Sequence, residues 1–321
     1  MMDISVLRSM WDQLESSGIQ DDFATLRLDS ACLSEVFIAL SGLGQRCLIL
    51  RLDVPLQFQA IRREKLEIEF NQGVPGLVLT LTDSFYQDLF DDLVLSLFNV
   101  IRDVSVPQDY IATFIATFRK WATFFDKEYL RKLDDDTVKG LIGELRLLSE
   151  LVDQSDEIEV NETLRSWRGP YDESQDFVCA DRNIEVKTMS PRSASFWVSS
   201  LEQLEEELGK GLELLIYTAE QNFDAGITLE QIFRTVKQSA LIKGADVSIL
   251  FDAISQKGLN LGNIAEYNAV RLQFLKEDWF NVLMEEFPRL TPNIVRTGIT
   301  KAKYKISFNS LEPYSIRRKE F

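Results

Sequence analysis

The hydrophobic pattern changes from strand-like to helix-like near residue 83, and this change most strongly limits the folds that the chain can adopt. Residues 20–82 contain short β-prone runs separated by turn sequences such as Ser41-Gly42-Leu43-Gly44 and Asn71-Gln72-Gly73. From Asp83 to Val100 the apolar residues recur at helical spacing. The sequence therefore predicts a small β-rich part, followed by helices.

A domain boundary is predicted at Val106-Pro107, because the residue before a proline disfavours helical backbone. The length of 321 residues suits one large domain or two ordinary ones. We predict a β-rich N-terminal domain over residues 1–107, serving recognition or partner binding, and a second domain over residues 108–321.

The second part mixes helical and strand patterns, which predicts a mixed α/β (α+β) domain. The predicted helices cover residues 109–128, 137–153, 229–243, 247–256 and 278–286. The predicted strands lie between residues 176 and 198 and over residues 213–219, 269–275 and 301–308.

Histidine is absent from the sequence, which excludes Ser-His-Asp and Cys-His hydrolysis and His-ligated zinc. Catalysis must use carboxylates, lysines, hydroxyls or a bound cofactor. The scattered Cys32, Cys47 and Cys179 fit neither a disulfide framework nor a C-x-x-C site, which is typical of a reducing compartment. With no signal-peptide pattern at the start and no apolar run of membrane-spanning length, we expect a cytoplasmic protein that has no membrane partner.

The segment 175–188 contains the most informative pattern, two strand-like runs that flank an Asp181-Arg182-Asn183 turn. A hairpin there can place Asp176 beside Glu185, while Glu185 and Lys187 share one strand face. Two carboxylates at one end of a sheet form the oxygen-rich pocket that Mg²⁺ requires, and a neighbouring lysine can position water or balance phosphate charge. The alternative is a solvated strand face with a weak ion pair.

Helix and turn residues add to this pattern. Glu144 is an acid beside the apolar face of the helix predicted over residues 137–153, and Gln203 follows a strand and a polar turn. Each also has a simpler interpretation, as a helix-surface acid for Glu144 and as a capping or surface residue for Gln203.

Taken together, these residues resemble the PD-(D/E)XK nuclease superfamily and, more narrowly, a bacterial PD-(D/E)XK-motif family of unknown function. The resemblance covers most of the chain and rests on four motifs: Gly140–Glu144, Trp167-x-Gly169-Pro170, Asp176-Phe177 and Glu185-Val186-Lys187-Thr188. It implies a restriction-endonuclease-like α-β-β-β-α-β core, and Mg²⁺-dependent DNA cleavage with Mn²⁺ as a substitute ion.

The resemblance also implies a role for each matching residue. Asp176 and Glu185 would bind the metal, Lys187 would be the catalytic lysine, and Glu144 would complete or orient the site. The family pattern has proline where this chain has Gln175, and Asp172 is a competing ligand with a longer offset to Glu185. The resemblance further implies a restriction or anti-phage system, with an ATPase, helicase or methyltransferase as partner.

Net charge is the main difficulty for a nucleic-acid substrate, since the chain carries −16 and phosphate neutralisation supplies most non-specific affinity. Residues 296–321 are the exception, with seven basic and two acidic residues. Within them Lys301, Lys303 and Lys305 alternate with other residues, which predicts one phosphate-binding strand face or, equally, an edge strand protected by lysines. Arg165 and Arg168 are further candidate contacts.

Two rival functions stay open at this stage. One is a catalytically silent nuclease-fold subunit that binds a partner protein. The other is a metal-free enzyme with carboxylate acid–base chemistry, which needs two acids whose environments separate their pKa values. Because a single site cuts one strand, double-strand cleavage would need a homodimer or repeated binding.

Overall fold

The computed structural model describes residues 2–17, 22–52, 56–126 and 132–321. The chain divides into two compact units. The first comprises Met1–Tyr129 with Asp246–Ser248, and the second comprises Leu130–Ala245 with Ile249–Phe321.

The first unit combines helices with an antiparallel sheet whose strand order is β1-β2-β3-β6-β5-β4. Its described elements are α1 (Ile4–Ser17), β1 (Phe23–Arg27), β2 (Val36–Ser41), β3 (Arg46–Arg51), β4 (Ile61–Arg62), β5 (Leu66–Asn71), β6 (Gly76–Leu81), α2 (Gln87–Ile101) and α3 (Pro107–Asp126). The β-rich N-terminal region predicted from the short apolar runs is thereby confirmed.

Helix packing completes the core of this unit. Leu7 and Trp11 form the buried stripe of α1, as their helical spacing predicts. Helix α2 packs against both α1 and α3 and is buried over most of its length. Every third or fourth residue of α3, including Phe114, Phe118 and Trp121, is fully buried. The end of the predicted helix over 109–128 lies outside the described residues.

The second unit is built on a mixed sheet of order β11-β12-β10-β8-β7, in which β14 pairs with β12. Its described elements are α4 (Asp135–Gln154), α5 (Val160–Ser166), β7 (Phe177–Val178), β8 (Arg182–Met189), β9 (Ser195–Val198), β10 (Gly211–Gln221), β11 (Ile227–Thr228), α6 (Leu229–Ile242), α7 (Ser248–Gln256), β12 (Arg271–Asn281), β13 (Tyr304–Ser307) and β14 (Ser315–Glu320). Strands β8 and β10 are parallel, and the pairs β7–β8 and β10–β12 are antiparallel.

The chain order α4-β7-β8-β10-α6-β12 reproduces the predicted α-β-β-β-α-β core, and the mixed α+β fold is confirmed. Helix α4 packs against α6 and β8. Strands β9 and β13 form a separate antiparallel pair. Their buried side chains, Phe196, Val198 and Ile306, join a hydrophobic cluster with Leu214 and Ile216 of β10.

Two sequence predictions are wrong in detail. The hairpin turn comes earlier than Asp181-Arg182-Asn183, because Arg182 and Asn183 already belong to β8 and Val178 pairs with Asn183. The second error concerns a helix. The sequence pattern predicts a helix over residues 278–286, whereas Asp278 to Asn281 continue strand β12. The acid at position 278 is fully buried, and Arg318 of β14 donates to Asp278 Oδ1 at 2.5 Å. This cross-strand pairing compensates the charge inside a sheet, which local sequence patterns do not reveal.

The predicted domain boundary coincides with the start of a helix. Helix α3 begins at Pro107, the predicted boundary residue, and belongs to the first unit. Separate roles for residues 1–107 and 108–321 stay a prediction. Among the described residues, no helix combines the length and the apolar character needed to cross a membrane.

Candidate active site

Helix α4 carries the first candidate residue, Glu144. Asp134 caps the helix, because its side chain accepts a hydrogen bond from Thr137 N at 2.8 Å. Gly143 faces strand β8 so closely that an added Cβ would lie 2.1 Å from Thr188 Oγ1. The missing side chain therefore lets α4 approach β8, and Glu144 reaches the end of the sheet. There its Oε2 accepts a hydrogen bond from Trp167 Nε1 at 2.7 Å.

Asp176 is held by the hairpin of β7 and β8. The pairing of Phe177 with Ile184 places the preceding residue, Asp176, beside Glu185, as the nine-residue offset predicts. Asp176 Oδ2 accepts a hydrogen bond from Val186 N at 2.8 Å. The backbone oxygen of Asp176 accepts two more, from Arg168 N at 2.7 Å and Gly169 N at 3.0 Å. This carboxylate is thus fixed through both its backbone and its side chain.

Glu185 and Lys187 follow on β8 and point to the same side. Lys187 Nζ donates to Glu185 Oε1 at 2.6 Å. The Glu185 side chain is only 1% exposed and that of Lys187 is 18% exposed. The second oxygen of the acid, Glu185 Oε2, is buried and has no hydrogen-bond partner among the described residues. A buried oxygen without a donor is costly, so its presence suggests a place for a ligand.

Gly169 shows that the helix acid and the hairpin acid converge. A Cβ added at this glycine would lie 2.4 Å from Glu144 Oε2 and 2.9 Å from Asp176 Oδ1. Both carboxylates therefore border the space that glycine leaves open. No larger residue fits there without moving one of them.

The pKa values reflect this crowding of charge. Burial, and then the charge of Asp176, raise the pKa of Glu144. The same two causes raise the pKa of Glu185 to about 8, against the opposing charge of Lys187. Burial raises the pKa of Asp176. Burial alone would lower the pKa of Lys187, but the charges of Glu185 and Asp176 raise it. The site thus holds more negative charge than its lysine neutralises, which a cation would relieve.

The side chains of this site are of the kind that binds a divalent cation, although their oxygen atoms are not arranged as a complete set of ligands around one. Within the described ranges, no group of three or more His, Cys, Asp or Glu side chains is arranged to hold a metal ion. The available donors are all carboxylate oxygens, the ligands that Mg²⁺ and Mn²⁺ prefer. The unpartnered Glu185 Oε2 and the convergence beside Gly169 are the structural signs of this fit.

The four side chains open into a cleft of about 970 Å³. Its lining includes Glu144, Asp176, Glu185, Lys187, Trp197 and Gln203. A neighbouring pocket of about 610 Å³ shares Glu144, Asp176 and Gln203 and adds Asp172, Lys257 and Lys301. The site is therefore open to a substrate.

Comparison with known proteins gives one match. Residues 7–309 match the model of a family described as "Putative PD-(D/E)XK family member" (DUF4420). The chain belongs to this family. No curated protein and no solved structure matches the chain significantly. Membership of the PD-(D/E)XK group indicates a nuclease-like function and agrees with the fold of the second unit.

Two predicted alternatives take other positions in this PD-(D/E)XK site. Asp172, the competing ligand, has a largely exposed side chain that pairs with Lys257. Its backbone is left-handed, with φ of 58°. Gln203 Oε1 accepts a hydrogen bond from Ser199 N at 2.7 Å, so it caps the turn as well as lining the cleft. The buried Asp176 is better placed than Asp172 to bind a metal.

The candidate nucleic-acid contacts divide into two groups. Lys303 and Lys305 lie against Trp197, and Lys301 lines the neighbouring pocket. Arg165 pairs with Glu162 at 2.7 Å, and Arg168 pairs with Glu173 at 2.6 Å. Neither arginine is among the described residues that line the cleft. Among the described residues that line these two pockets, Lys301 is the one candidate contact present, and Lys303 and Lys305 are connected to the cleft through their contact with Trp197.

Sequence reasoning missed three residues of this candidate site. Trp167 stands in the sequence only as part of a motif, yet it orients Glu144. Lys257 lies just after α7, and its charge lowers the pKa of both Glu144 and Asp176. Trp197 lines the cleft, although its sequence context indicates only a strand residue. Of the three, only Trp167 had a local signal, since it precedes the Gly169-Pro170 turn.

Proposed function

We propose that this protein is a metal-dependent endonuclease that hydrolyses phosphodiester bonds in DNA. One observation carries the proposal: Glu144, Asp176, Glu185 and Lys187 meet in a single open cleft. Three acids and one lysine around strands β7 and β8 are the residue types of the PD-(D/E)XK motif, and the chain belongs to a PD-(D/E)XK family. No histidine is needed for this chemistry, which agrees with the composition.

Asp176 and Glu185 would hold the divalent ion, Mg²⁺ or Mn²⁺, with Glu144 beside them. The bound ion supplies a Lewis acid that polarises the scissile phosphate and lowers the pKa of water. The residues of the chain orient this site. Val186 N fixes Asp176, and Trp167 Nε1 fixes Glu144. Such support matters because a small misplacement of reacting groups costs rate.

Lys187 supplies the positive charge at the reacting phosphate. The neighbouring carboxylates raise its pKa, so Nζ stays an ammonium group at neutral pH. An ammonium group in a partly dry cleft balances the negative charge that builds up on the phosphate in the transition state. Its hydrogen bond to Glu185 Oε1 fixes its direction.

A partner protein belongs to this proposal. A net charge of −16 weakens the non-specific affinity for DNA, so an ATPase, helicase or methyltransferase of a restriction or anti-phage system would help to bring the substrate. A homodimer would allow both strands to be cut.

The second candidate function is a catalytically silent subunit of such a system. It is favoured by the net charge of −16, which suits a protein partner better than nucleic acid.

A cleavage assay tests the proposal. Methylated and unmethylated DNA is incubated with the protein and Mg²⁺ or Mn²⁺, and we expect Glu185→Gln and Lys187→Met each to lower the rate by at least about 100-fold. Asp181→Asn is the matched control, since this exposed acid lies in the turn of the same hairpin. Circular dichroism checks that all variants are folded.

The two candidate functions give different outcomes. Equal cleavage by the wild type and both site variants would contradict the nuclease proposal. If no cleavage occurs and calorimetry detects no binding of Mg²⁺ or Mn²⁺, the silent subunit is correct. Metal binding that Glu185→Gln weakens supports the active enzyme.

A further inference from the structure

An exposed tryptophan stands at the cleft of the proposed nuclease site. Strand β9 alternates in burial: Phe196 and Val198 enter the hydrophobic cluster, and Trp197 between them points outward. Trp197 is 48% exposed, whereas Trp11, Trp121, Trp167 and Trp279 are at most 5% exposed. An outward tryptophan on a paired strand contributes little to the core, and the exposed part of its ring is open to a ligand.

Two lysines accompany this ring. Lys305 is the cross-strand partner of Trp197 in the β9–β13 pair, and Lys303 is two residues earlier. The Nζ atom of each lies 4.8 Å from the centre of the Trp197 ring. In the part of the chain that the structure describes, neither lysine forms an ion pair with a carboxylate. In a strongly acidic protein, two lysines without acids mark a local positive surface.

The tryptophan and the carboxylates line the same cleft. Trp197 borders it together with Glu185 and Lys187. Lys301, on the same C-terminal segment as the other two lysines, borders the adjoining pocket with Glu144 and Asp176. Trp197 therefore lies where a nucleic-acid strand entering the proposed site would pass, and Lys303 and Lys305 flank it through their contacts with the ring.

We propose that Trp197, Lys303 and Lys305 form a subsite that stacks an unpaired nucleobase on the indole and binds the flanking phosphates. This inference rests on the proposed nuclease function and adds to it a substrate class, a single-stranded or locally unpaired nucleic acid. An aromatic ring can stack only on a base whose face is uncovered, whereas duplex bases cover one another. Lysines alone would be enough to follow a duplex backbone.

Binding measured in EDTA tests the subsite without cleavage. The ligands are a labelled oligothymidylate, the matching oligouridylate, a duplex of equal length and an abasic strand that keeps only the backbone. We expect the wild type to bind the oligothymidylate more tightly than the abasic strand. Trp197→Ala should weaken oligothymidylate binding by at least about 5-fold, the loss of one stacked base, and Trp197→Phe by less. Abasic-strand binding should stay unchanged in both.

The two lysines should affect binding affinity differently from the tryptophan. Replacing Lys303 and Lys305 by glutamine should weaken binding to every ligand and reduce the salt dependence by about 0.7 in slope for each lysine that contacts a phosphate. Comparing the two unpaired strands shows whether the subsite distinguishes DNA from RNA.

Intrinsic fluorescence adds a direct readout, since Trp197 is the exposed tryptophan. Oligothymidylate should protect it from acrylamide quenching, and this protection should vanish in Trp197→Ala.

Failure of this inference is distinguishable from failure of the nuclease proposal. Unchanged oligothymidylate binding in Trp197→Ala, or an equal loss on the duplex, would overturn the stacking subsite even if Mg²⁺ cleavage proceeds. Conversely, a Trp197-dependent preference for unpaired strands in a protein that never cleaves would leave the subsite standing and remove the catalytic step.

Discussion

Two buried carboxylates, one in each unit, each receive a tryptophan hydrogen bond but differ in what else surrounds them. In the first unit Trp11 Nε1 donates to Asp91 Oδ1 at 2.8 Å, and Arg46 adds a guanidinium contact at 3.0 Å. In the second unit Trp167 Nε1 donates to Glu144 Oε2 at 2.7 Å. There the neighbouring group is another acid, Asp176.

The difference separates a structural acid from a candidate catalytic one. The charge of Asp91 is balanced inside the fold by an arginine in direct contact. Glu144, Asp176 and Glu185 accumulate negative charge, and the lysine in direct contact, Lys187, pairs with Glu185. Lys257 adds a second positive charge that acts on Glu144 and Asp176. One oxygen of Glu185 still lacks a donor among the described residues. Such an arrangement costs stability that a bound ligand would restore, so we propose this cluster as the functional site.

Removing the cation beside Asp91 tests this comparison with the largest expected effect. Arg46→Met removes the closer of two guanidinium groups beside the buried Asp91, since Arg8 Nε stays 3.7 Å from Asp91 Oδ2, and we expect the free energy of unfolding to fall by about 3 kcal/mol or more. Denaturant unfolding measures the change. The double variant Arg46→Met/Asp91→Asn should recover much of the loss, because it removes the unpaired charge. Glu185→Gln should cost less, because the amide oxygen can still accept the hydrogen bond from Lys187 Nζ and the substitution removes the repulsion between Glu185 and Asp176.

No loss of stability in Arg46→Met would show that Asp91 does not depend on the arginine. The contrast between the two acids would then fail, and the internal balance of charge could not be used to distinguish them.

The pH dependence of stability gives the next effect. Burial raises the pKa of Asp91 to about 6, although Arg46 and Trp11 oppose the shift. The folded state therefore binds the proton more tightly than the unfolded state does, and this stabilisation is complete below the unfolded pKa of 3.8. This stabilisation is lost as the pH rises through about 6. A pKa shift of about 2 units corresponds to about 3 kcal/mol, because one unit is worth about 1.4 kcal/mol.

Comparing unfolding curves at acidic and neutral pH for the wild type and Asp91→Asn isolates this contribution. The amide introduced by the substitution cannot titrate, so the stability of the variant should vary less with pH over this interval. Identical pH profiles for the two proteins would contradict the raised pKa.

How much of the site the sequence predicts depends on whether the relation is local. The hairpin that joins Asp176 to Glu185 follows from strand alternation and a short turn, so spacing alone predicts it. The contact between Trp167 and Glu144 crosses 23 residues, and it depends on how α4 packs against the segment after α5. Lys257 reaches the site from after α7, and no pattern near it indicates this.

The incorrect prediction of a helix over residues 278–286 also results from a contact between residues distant in sequence. Asp278 is polar enough to suggest a surface helix, but Arg318 neutralises it from a strand 40 residues later. The lysines at 303 and 305 are predicted to share a face because period-two alternation is local. Their common neighbour Trp197 belongs to a different segment, so this contact needs the structure.

Gly169 allows the sharpest test of whether the acids of the second unit must converge. Gly169→Ala places a Cβ 2.4 Å from Glu144 Oε2 and 2.9 Å from Asp176 Oδ1, so at least one carboxylate must move. If cleavage depends on both acids, their displacement by about 1 Å should lower the rate by about 100-fold.

Gly140→Ala is the matched control for stability, because its Cβ would meet nothing within 4 Å and alanine favours the helix. Thermal unfolding should show Gly140→Ala as more stable than the wild type by up to about 1 kcal/mol and Gly169→Ala as less stable. Normal cleavage by Gly169→Ala would mean that Glu144 and Asp176 need not share this space, and the two acids would then have to act separately.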